Sequence, residues 1–159
     1  MAIDKEFLRS EKSLIFARLQ RALNACYANP CNETQLKTFD ELVYAYIYNL
    51  DLHVPVDFTG KHPTYMLLYH PKGFRLYQAC TTPEELVKCS NTGSVIMSFR
   101  NLFKPVVSDS LPGLVLDPKS GHDTVFFMTR ENIQKIIEYA LQSINAQPEE
   151  VKNFLLNEI

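Results

Sequence analysis

The chain has 159 residues, 46% of them hydrophobic and 21% charged, and its formal net charge is −2. This size and composition are typical of one globular domain with a sizeable core, and they exclude a disordered chain. The chain also lacks the basic stripe of a nucleic-acid-binding protein, because Arg18 and Arg21 fall opposite the apolar stripe of their helix and are interpreted as a solvated face.

Two helices are predicted in the N-terminal part from apolar residues at helical spacing. The first covers residues 5–28 and has Asp4 as a plausible N-cap. It ends at Asn29-Pro30, because a proline disfavours the α conformation of the residue before it. The second covers residues 33–48.

The middle of the chain is predicted to form the sheet. An extended segment over residues 52–56 contains Pro55, which suits a sheet edge or a strand end. A β-hairpin follows, with arms over 65–70 and 74–80 and a turn at Pro71-Lys72-Gly73, where glycine permits a positive φ. Apolar residues on both faces of the arms indicate strands that are covered on both sides or nearly so.

A short helix is predicted after the hairpin. Thr82 can accept a hydrogen bond from the N–H of Glu85, and the Glu85 carboxylate can reach back to the N–H of Thr82, which makes a capping box. Ser90–Gly93 then closes this unit. A strand over 94–98 comes next, followed by at most two helical turns, because Pro105 limits the helix.

The last predicted strands are an apolar segment over 113–118 and a returning strand over 124–128. The tight turn at 119–121 between them implies an antiparallel pair. Thr129 then caps a third long helix, and a final short helix starts at Pro148. The apolar stripe of the third long helix consists of Ile133, Ile136, Ile137, Ala140, Leu141 and Ile144.

Together these elements predict an α+β fold. We expect a mostly antiparallel sheet of about five strands, packed by two N-terminal helices and a long C-terminal helix. A single domain is predicted over residues 1–159, because no internal repeat or break in composition marks a second one.

Five segments of the chain carry a family resemblance. They are residues 52–56 (LHVPV), 74–86 (FRLYQACTTPEEL), 95–103 (VIMSFRNLF), 113–118 (GLVLDP) and 124–137. In this order they resemble the N-terminal domain of the bacterial SseB family, over roughly residues 14–142. Two departures are Ala79-Cys80-Thr81, where the family has Phe-Thr-Ser, and Asp117, where it has asparagine. Full-length members carry a second domain, which this chain is too short to contain, and the family offers no established enzymatic activity to carry over.

The start of the chain is charged where a signal peptide would be apolar, and no apolar run approaches the ~20 residues of a membrane helix. We therefore expect a cytoplasmic protein that does not bind membranes. In that compartment Cys26, Cys31, Cys80 and Cys89 are expected to be free thiols. Cys26 and Cys31 lack the second close ligand pair of a zinc site, so no metal or other cofactor is expected.

Catalytic motifs are sparse. His53, His62 and His70 match no compact ligand pattern and are interpreted as ordinary loop and sheet residues. Glu84 and Glu85 are explained by the start of a helix, where carboxylates interact favourably with the dipole. The remaining candidates, Asp117 and Asp123, flank a turn. No catalytic residue is assigned.

Tyr44 and Tyr48 are the candidate interaction residues. They are i, i+4 neighbours on the second helix, on a face away from Val43 and Ile47, and exposed paired tyrosines suit a binding surface. The alternative is that another helix covers them. We expect a non-catalytic module that binds another protein rather than nucleic acid, and a homodimer stays open. The alternative function is a small-molecule-binding protein or minor hydrolase that uses the loops around residues 53–63.

Overall fold

A computed structural model of the chain describes residues 4–89, 93–108, 112–119 and 126–157. Within these ranges the protein has six helices and seven strands, which confirms the predicted α+β class. The helices are α1 (Lys5–Ala28), α2 (Asn32–Ile47), α3 (Pro83–Cys89), α4 (Phe99–Ser108), α5 (Arg130–Asn145) and α6 (Glu149–Asn157). The strands are β1 (Asp51–Asp57), β2 (Thr64–Tyr65), β3 (Leu68–Tyr69), β4 (Arg75–Ala79), β5 (Ser94–Ser98), β6 (Gly113–Leu116) and β7 (Phe126–Thr129).

The chain divides into two compact units. One, the helical unit, comprises Met1–Leu50 with Lys135–Ile159, and the other, the sheet unit, comprises Asp51–Gln134. The helical unit therefore contains α1, α2, α6 and most of α5, whereas the sheet unit contains all seven strands with α3 and α4. That residues 1–159 form a single domain stays a prediction.

In the helical unit, α1 begins and ends as predicted. The Asp4 carboxylate accepts a hydrogen bond from the N–H of Phe7 at 2.8 Å, and the N–H of Asn29 donates to the carbonyl of Ala25 at the other end. A buried hydroxyl on α2 joins the two helices, since Thr38 Oγ1 lies 3.2 Å from the Ala22 carbonyl oxygen. The buried face of α1 consists of Ile15, Leu19, Ala22, Leu23 and Cys26.

The sheet unit holds two small sheets, with strand orders β2-β1-β5 and β3-β4-β6-β7. Among the described strands only the β4–β6 pair is parallel, so the mostly antiparallel prediction is confirmed, although seven strands replace the expected five. β1 lies between two partners rather than at an edge, despite Pro55. A reciprocal backbone pair joins His53 of β1 to Cys80, with N–H to O distances of 2.9 and 2.8 Å.

The predicted β-hairpin is wrong in its first arm. That arm is divided between β2, which pairs with β1, and β3, which pairs with β4. Between the two strands, the side-chain amide of Gln78 donates to the carbonyl of Met66 at 2.6 Å. The turn itself is as predicted, because Gly73 has a φ of +95° and donates its N–H to the carbonyl of His70.

Helix α4 is longer than the sequence predicted. It has ten residues and continues through Pro105, which was expected to limit it. Proline removes one helical hydrogen bond, but the tertiary burial of an apolar face can outweigh that loss. The buried face of α4 consists of Phe99, Leu102, Phe103 and Val106.

The caps predicted at α3 and α5 both form, but only the one at α5 is reciprocal. At α3 the N–H of Glu85 donates to Thr82 Oγ1 at 3.2 Å, as predicted, but the carboxylate of Glu85 binds Lys88 at 3.0 Å rather than reaching back to Thr82. At α5 the box is reciprocal: Asn132 N–H donates to Thr129 Oγ1, and Thr129 N–H donates to Asn132 Oδ1. The predicted segments over 90–92 and 120–125, which include Asp123, lie outside the described residues.

Candidate functional site

Tyr44 lies on α2 with 42% of its surface exposed. The guanidinium carbon of Arg18, from α1, lies 4.9 Å from the centroid of its ring. This distance is within the range of a cation–π interaction, so one face of the tyrosine is supported by a neighbouring cation. The ring is therefore held in place while part of it remains accessible.

Arg18 is itself fixed by a carboxylate. Its Nη2 lies 3.0 Å and its Nε 3.3 Å from Oε1 of Glu41, a residue that is only 6% exposed. Glu41 and Tyr44 are three residues apart on α2 and so share a face, which lets one arginine bind both. The interpretation of Arg18 and Arg21 as a solvated face holds for Arg21, which is exposed, and only in part for Arg18, whose half-buried guanidinium binds Glu41.

Tyr48 has different surroundings from Tyr44. It is half-buried and packs against a small apolar cluster of the helical unit. Burial raises the pKa of its hydroxyl, and the nearby charges of Glu11 and Tyr44 act in the same direction. Tyr48 therefore offers less accessible surface than Tyr44. The cluster consists of Ile47, Ala140, Ile144 and Leu155.

A second polar cluster lies in the sheet unit, where β4 and β6 end side by side. Asp117 follows β6 and is 4% exposed. Its two carboxylate oxygens accept hydrogen bonds from the N–H and the Oγ1 of Thr81, both at 2.8 Å. The N–H of Asp117 donates to the carbonyl of Ala79, and its φ is +47°. The residue therefore bridges the two strand ends through its backbone and its side chain.

The charge of Asp117 is poorly solvated. Burial raises the pKa of its carboxyl above the usual range, while the hydrogen bonds from Thr81 oppose that shift. The carboxylate of Glu85 raises the pKa further, and the ammonium of Lys88 lowers it. The sequence predicted only a turn residue here, because the spacing shows neither burial nor the approach of Thr81.

Two thiols lie next to this carboxylate. Cys80 Sγ and Cys89 Sγ are 3.6 Å apart, and both cysteines are free, as predicted. Burial raises the pKa of the Cys80 thiol, and Cys89 adds to the shift, followed by Asp117. The pairing was missed because nine residues and a helix separate the two cysteines, and no local sequence signal reports how that helix folds back.

Cys31 occupies the N-cap of α2. Its N–H donates to Thr34 Oγ1 at 3.1 Å, and its sulfur lies 3.6 Å from the same hydroxyl. The sulfur also accepts a hydrogen bond from the backbone N–H of Thr34, and this bond, followed by the contact with the Thr34 hydroxyl, lowers the pKa of the Cys31 thiol below the usual 9.0. The sequence had suggested only a weak C-x4-C spacing at this position.

We expect Cys31 to be alkylated faster by iodoacetamide at pH 7 than the buried Cys26 and Cys80, because only the thiolate reacts and Cys31 is more accessible. Thr34→Val removes the hydroxyl but keeps the N–H that contributes most, so it should slow the reaction of Cys31 at pH 7 only modestly and leave its rate at pH 10 nearly unchanged. Peptide mass spectrometry over time measures all three sites. Equal rates at Cys31 in both proteins at pH 7 would contradict a contribution from the Thr34 hydroxyl.

The segment around residues 53–63 is held by local bonds. Asp57 accepts hydrogen bonds from the N–H and the Oγ1 of Thr59, at 2.9 and 2.6 Å, and these bonds lower the pKa of its carboxyl. They give Asp57 the role of a turn residue. His53 uses its backbone to pair with Cys80, and His62 is exposed. In the described part of the chain, no three His, Cys, Asp or Glu side chains are placed to hold a metal ion.

Comparisons with protein-family models, with curated proteins and with solved structures found no match to this chain. Over the ranges that the structure covers, none of the helices has the length and apolar character needed to cross a membrane. The arrangement of Arg18, Glu41 and Tyr44 therefore has to be interpreted from its own chemistry.

Proposed function

We propose that this chain is a non-catalytic module of the SseB-like type that binds another protein in the cytoplasm. The binding surface would be centred on Tyr44, with Tyr48 and Arg18 beside it. The observation that carries the proposal is an exposed tyrosine ring backed by an arginine whose own position is fixed by the buried Glu41.

The side chains of this surface are already held in place in the free protein, which supports a binding role. Tyrosine and arginine are the residue types that most often dominate the energetics of protein interfaces. Immobilising a long side chain on binding costs about 0.5–1.5 kcal/mol, and Arg18 is already bound to Glu41 before any partner arrives. Leu14, 49% exposed and one helical turn before Arg18 on α1, adds apolar area on the same face.

The charge of the chain favours a protein as partner over nucleic acid. A net charge of −2 would not attract a polyanion, since binding to nucleic acid depends on the neutralisation of several phosphates by lysine and arginine. The alternative partner is a second copy of this chain. In that case the protein would form an oligomer whose population increases with its concentration.

Substitution Tyr44→Ala should reduce the amount of partner retained in an affinity pull-down of the tagged chain by about tenfold or more, because loss of a central tyrosine costs about 2 kcal/mol. The matched control is Tyr139→Ala in the same unit. Tyr139 is 50% exposed and makes an edge-to-face contact with Phe39 at 6.0 Å between ring centroids. Mass spectrometry of the retained proteins, with the melting temperature of each variant, gives the readout.

Equal losses in both variants, at unchanged melting temperatures, would contradict the role of Tyr44. A pull-down that remains empty after mild crosslinking would contradict the interaction module itself. The alternative function, a small-molecule-binding protein that uses residues 53–63, would then be favoured. A thermal-shift screen against metabolites would test it.

A further inference from the structure

The two thiols of the sheet unit are already in contact. Cys80 is fully buried directly after β4, Cys89 is the half-buried last residue of α3, and their sulfur atoms are 3.6 Å apart. A disulfide bond has a sulfur–sulfur distance of about 2.05 Å, so an approach of about 1.5 Å would allow a bond. One of the two cysteines has to move to close this distance.

Hydrogen bonds fix the backbone of Cys80 and the residue that follows it. Its backbone makes the reciprocal pair with His53, at 2.9 and 2.8 Å. The next residue, Thr81, is bound twice by the buried carboxylate of Asp117. Cys80 is therefore a fixed point, because its displacement would break backbone pairing and would leave buried polar groups without partners.

Cys89 is the side that can move. It ends a seven-residue helix in which no residue is fully buried, so a small shift of α3 removes little packing. The helix makes its own ion pair between Lys88 and Glu85, at 3.0 Å, and this pair can move together with it. A fixed, buried thiol thus faces a more accessible one on a lightly packed helix.

We propose that Cys80 and Cys89 are an oxidation site that forms an intramolecular disulfide when the protein meets a peroxide. The reaction starts at Cys89, the more accessible thiol. Its thiolate attacks hydrogen peroxide, so a sulfur–oxygen bond forms, the oxygen–oxygen bond breaks, and the departing hydroxide takes up a proton as water.

The second step uses Cys80. Its sulfur attacks the sulfur of the Cys89 sulfenic acid, a sulfur–sulfur bond forms and the sulfur–oxygen bond breaks. The hydroxide that leaves combines with the proton of the Cys80 thiol to give a second water. The two thiols lose two electrons in total, and the peroxide is reduced to two waters.

The surrounding charges favour this order of events. The carboxylates of Asp117 and Glu85 and the neighbouring Cys89 all disfavour a thiolate at Cys80, in the same direction as its burial. Cys80 therefore stays protonated and reacts second, as the resolving thiol, after the sulfenic acid has formed within contact distance. Lys88 brings a positive charge to this group, and it is already bound to Glu85.

The test treats the full-length folded chain with hydrogen peroxide, blocks the remaining thiols with iodoacetamide and digests it with trypsin without reduction. Cleavage after Lys88 separates Cys80, in peptide 76–88, from Cys89, in peptide 89–100. We expect these two peptides to be joined, with the loss of two hydrogens, in most molecules. Reduction with dithiothreitol should release them. Cys26 and Cys31 lie together in peptide 22–37 and serve as the matched control, which should not lose hydrogens to the same extent.

Two variants keep the result decisive. In Cys80→Ser the sulfenic acid at Cys89 has no resolving thiol, so we expect dimedone to label Cys89 strongly. In Cys89→Ser we expect Cys80 to remain unmodified at the same peroxide concentration. The proposal is overturned if the wild-type protein yields unlinked peptides with Cys89 oxidised to sulfinic or sulfonic acid. It is equally overturned if Cys80 is found joined to a different cysteine.

Discussion

Replacement of Gly113 with alanine should destabilise the protein by about 3 kcal/mol or more, which is severe for a core position. Gly113 begins β6, and a Cβ atom there would overlap the carbonyl oxygen of Met128 on β7. It would also lie 2.8 Å from Phe127 Cε2 and 3.0 Å from the carbonyl carbon of Met128. Two of these atoms are backbone, so relief requires the strands to separate rather than one side chain to rotate.

The matched control is Gly60→Ala. A Cβ at Gly60 would meet only the carbonyl oxygen of His62 at 3.7 Å, an ordinary contact, so we expect little change in stability. Thermal melts should show a loss of roughly 6–12 °C for Gly113→Ala, at 2–4 °C per kcal/mol for a protein of this size. Equal melting temperatures for the two variants would mean that β6 and β7 do not approach each other as described.

The helices could be predicted from sequence because their signals are local. Asp4, Thr82 and Thr129 lie beside the N–H groups that they cap, within three residues along the chain. Apolar spacing and the stop at Asn29-Pro30 likewise gave the bounds of α1, and Thr129 marked the start of α5. In α4 the local signal of Pro105 was misleading, because burial of the residues around it decided the length of the helix.

The strand pairing could not be predicted in the same way. A hairpin is the simplest partner choice for two apolar runs joined by a short turn, and the sequence favoured it. The first run instead pairs with β1 through β2 and with β4 through β3, and Gln78 binds Met66 at the point between them. Such a side-chain bond joins residues 12 positions apart, which neither alternation nor turn chemistry reports.

The candidate site was predictable only in part. Helical spacing placed Tyr44 away from Val43 and Ile47, and that was enough to single it out. It could not show that Arg18, 23 residues before Glu41, would cross to α2 and support the ring. Burial of Tyr48 depends on which helix packs against it, and this contact between distant parts of the chain cannot be read from local spacing. The sequence therefore indicated one member of the surface and missed the residues that fix it.

Asp117→Ala should destabilise the sheet unit by about 2–4 kcal/mol. Thr81 is 4% exposed, and its N–H would lose its acceptor, which costs about 1–3 kcal/mol for a buried group. Alanine would also be less favourable than aspartate at a φ of +47°. Chemical denaturation at pH 7 gives the free energy of unfolding, and Thr81→Val, which keeps the N–H but loses the second hydrogen bond, should cost less.

Asp117→Asn should behave differently and should become relatively more stable as the pH rises. Asparagine tolerates a positive φ, its oxygen can accept from the Thr81 N–H, and its amide can donate to Thr81 Oγ1. Burial raises the pKa of Asp117 above its usual 3.8, so the folded wild-type protein binds this proton more readily than the unfolded chain. The resulting stabilisation is complete below pH 3.8 and is lost as the pH rises through the raised pKa.

Asparagine does not titrate, and the other carboxylates are the same in the two proteins. Their contributions to the pH dependence of the free energy of unfolding therefore cancel when the two proteins are compared. The free energy of unfolding of Asp117→Asn minus that of the wild type should therefore increase from pH 4 to pH 7, and unfolding curves at each pH measure it. A difference that falls with pH would mean that the ionised carboxylate stabilises the fold through Thr81 by more than its burial costs. In that case the charge of Asp117 would contribute to the stability of the sheet unit.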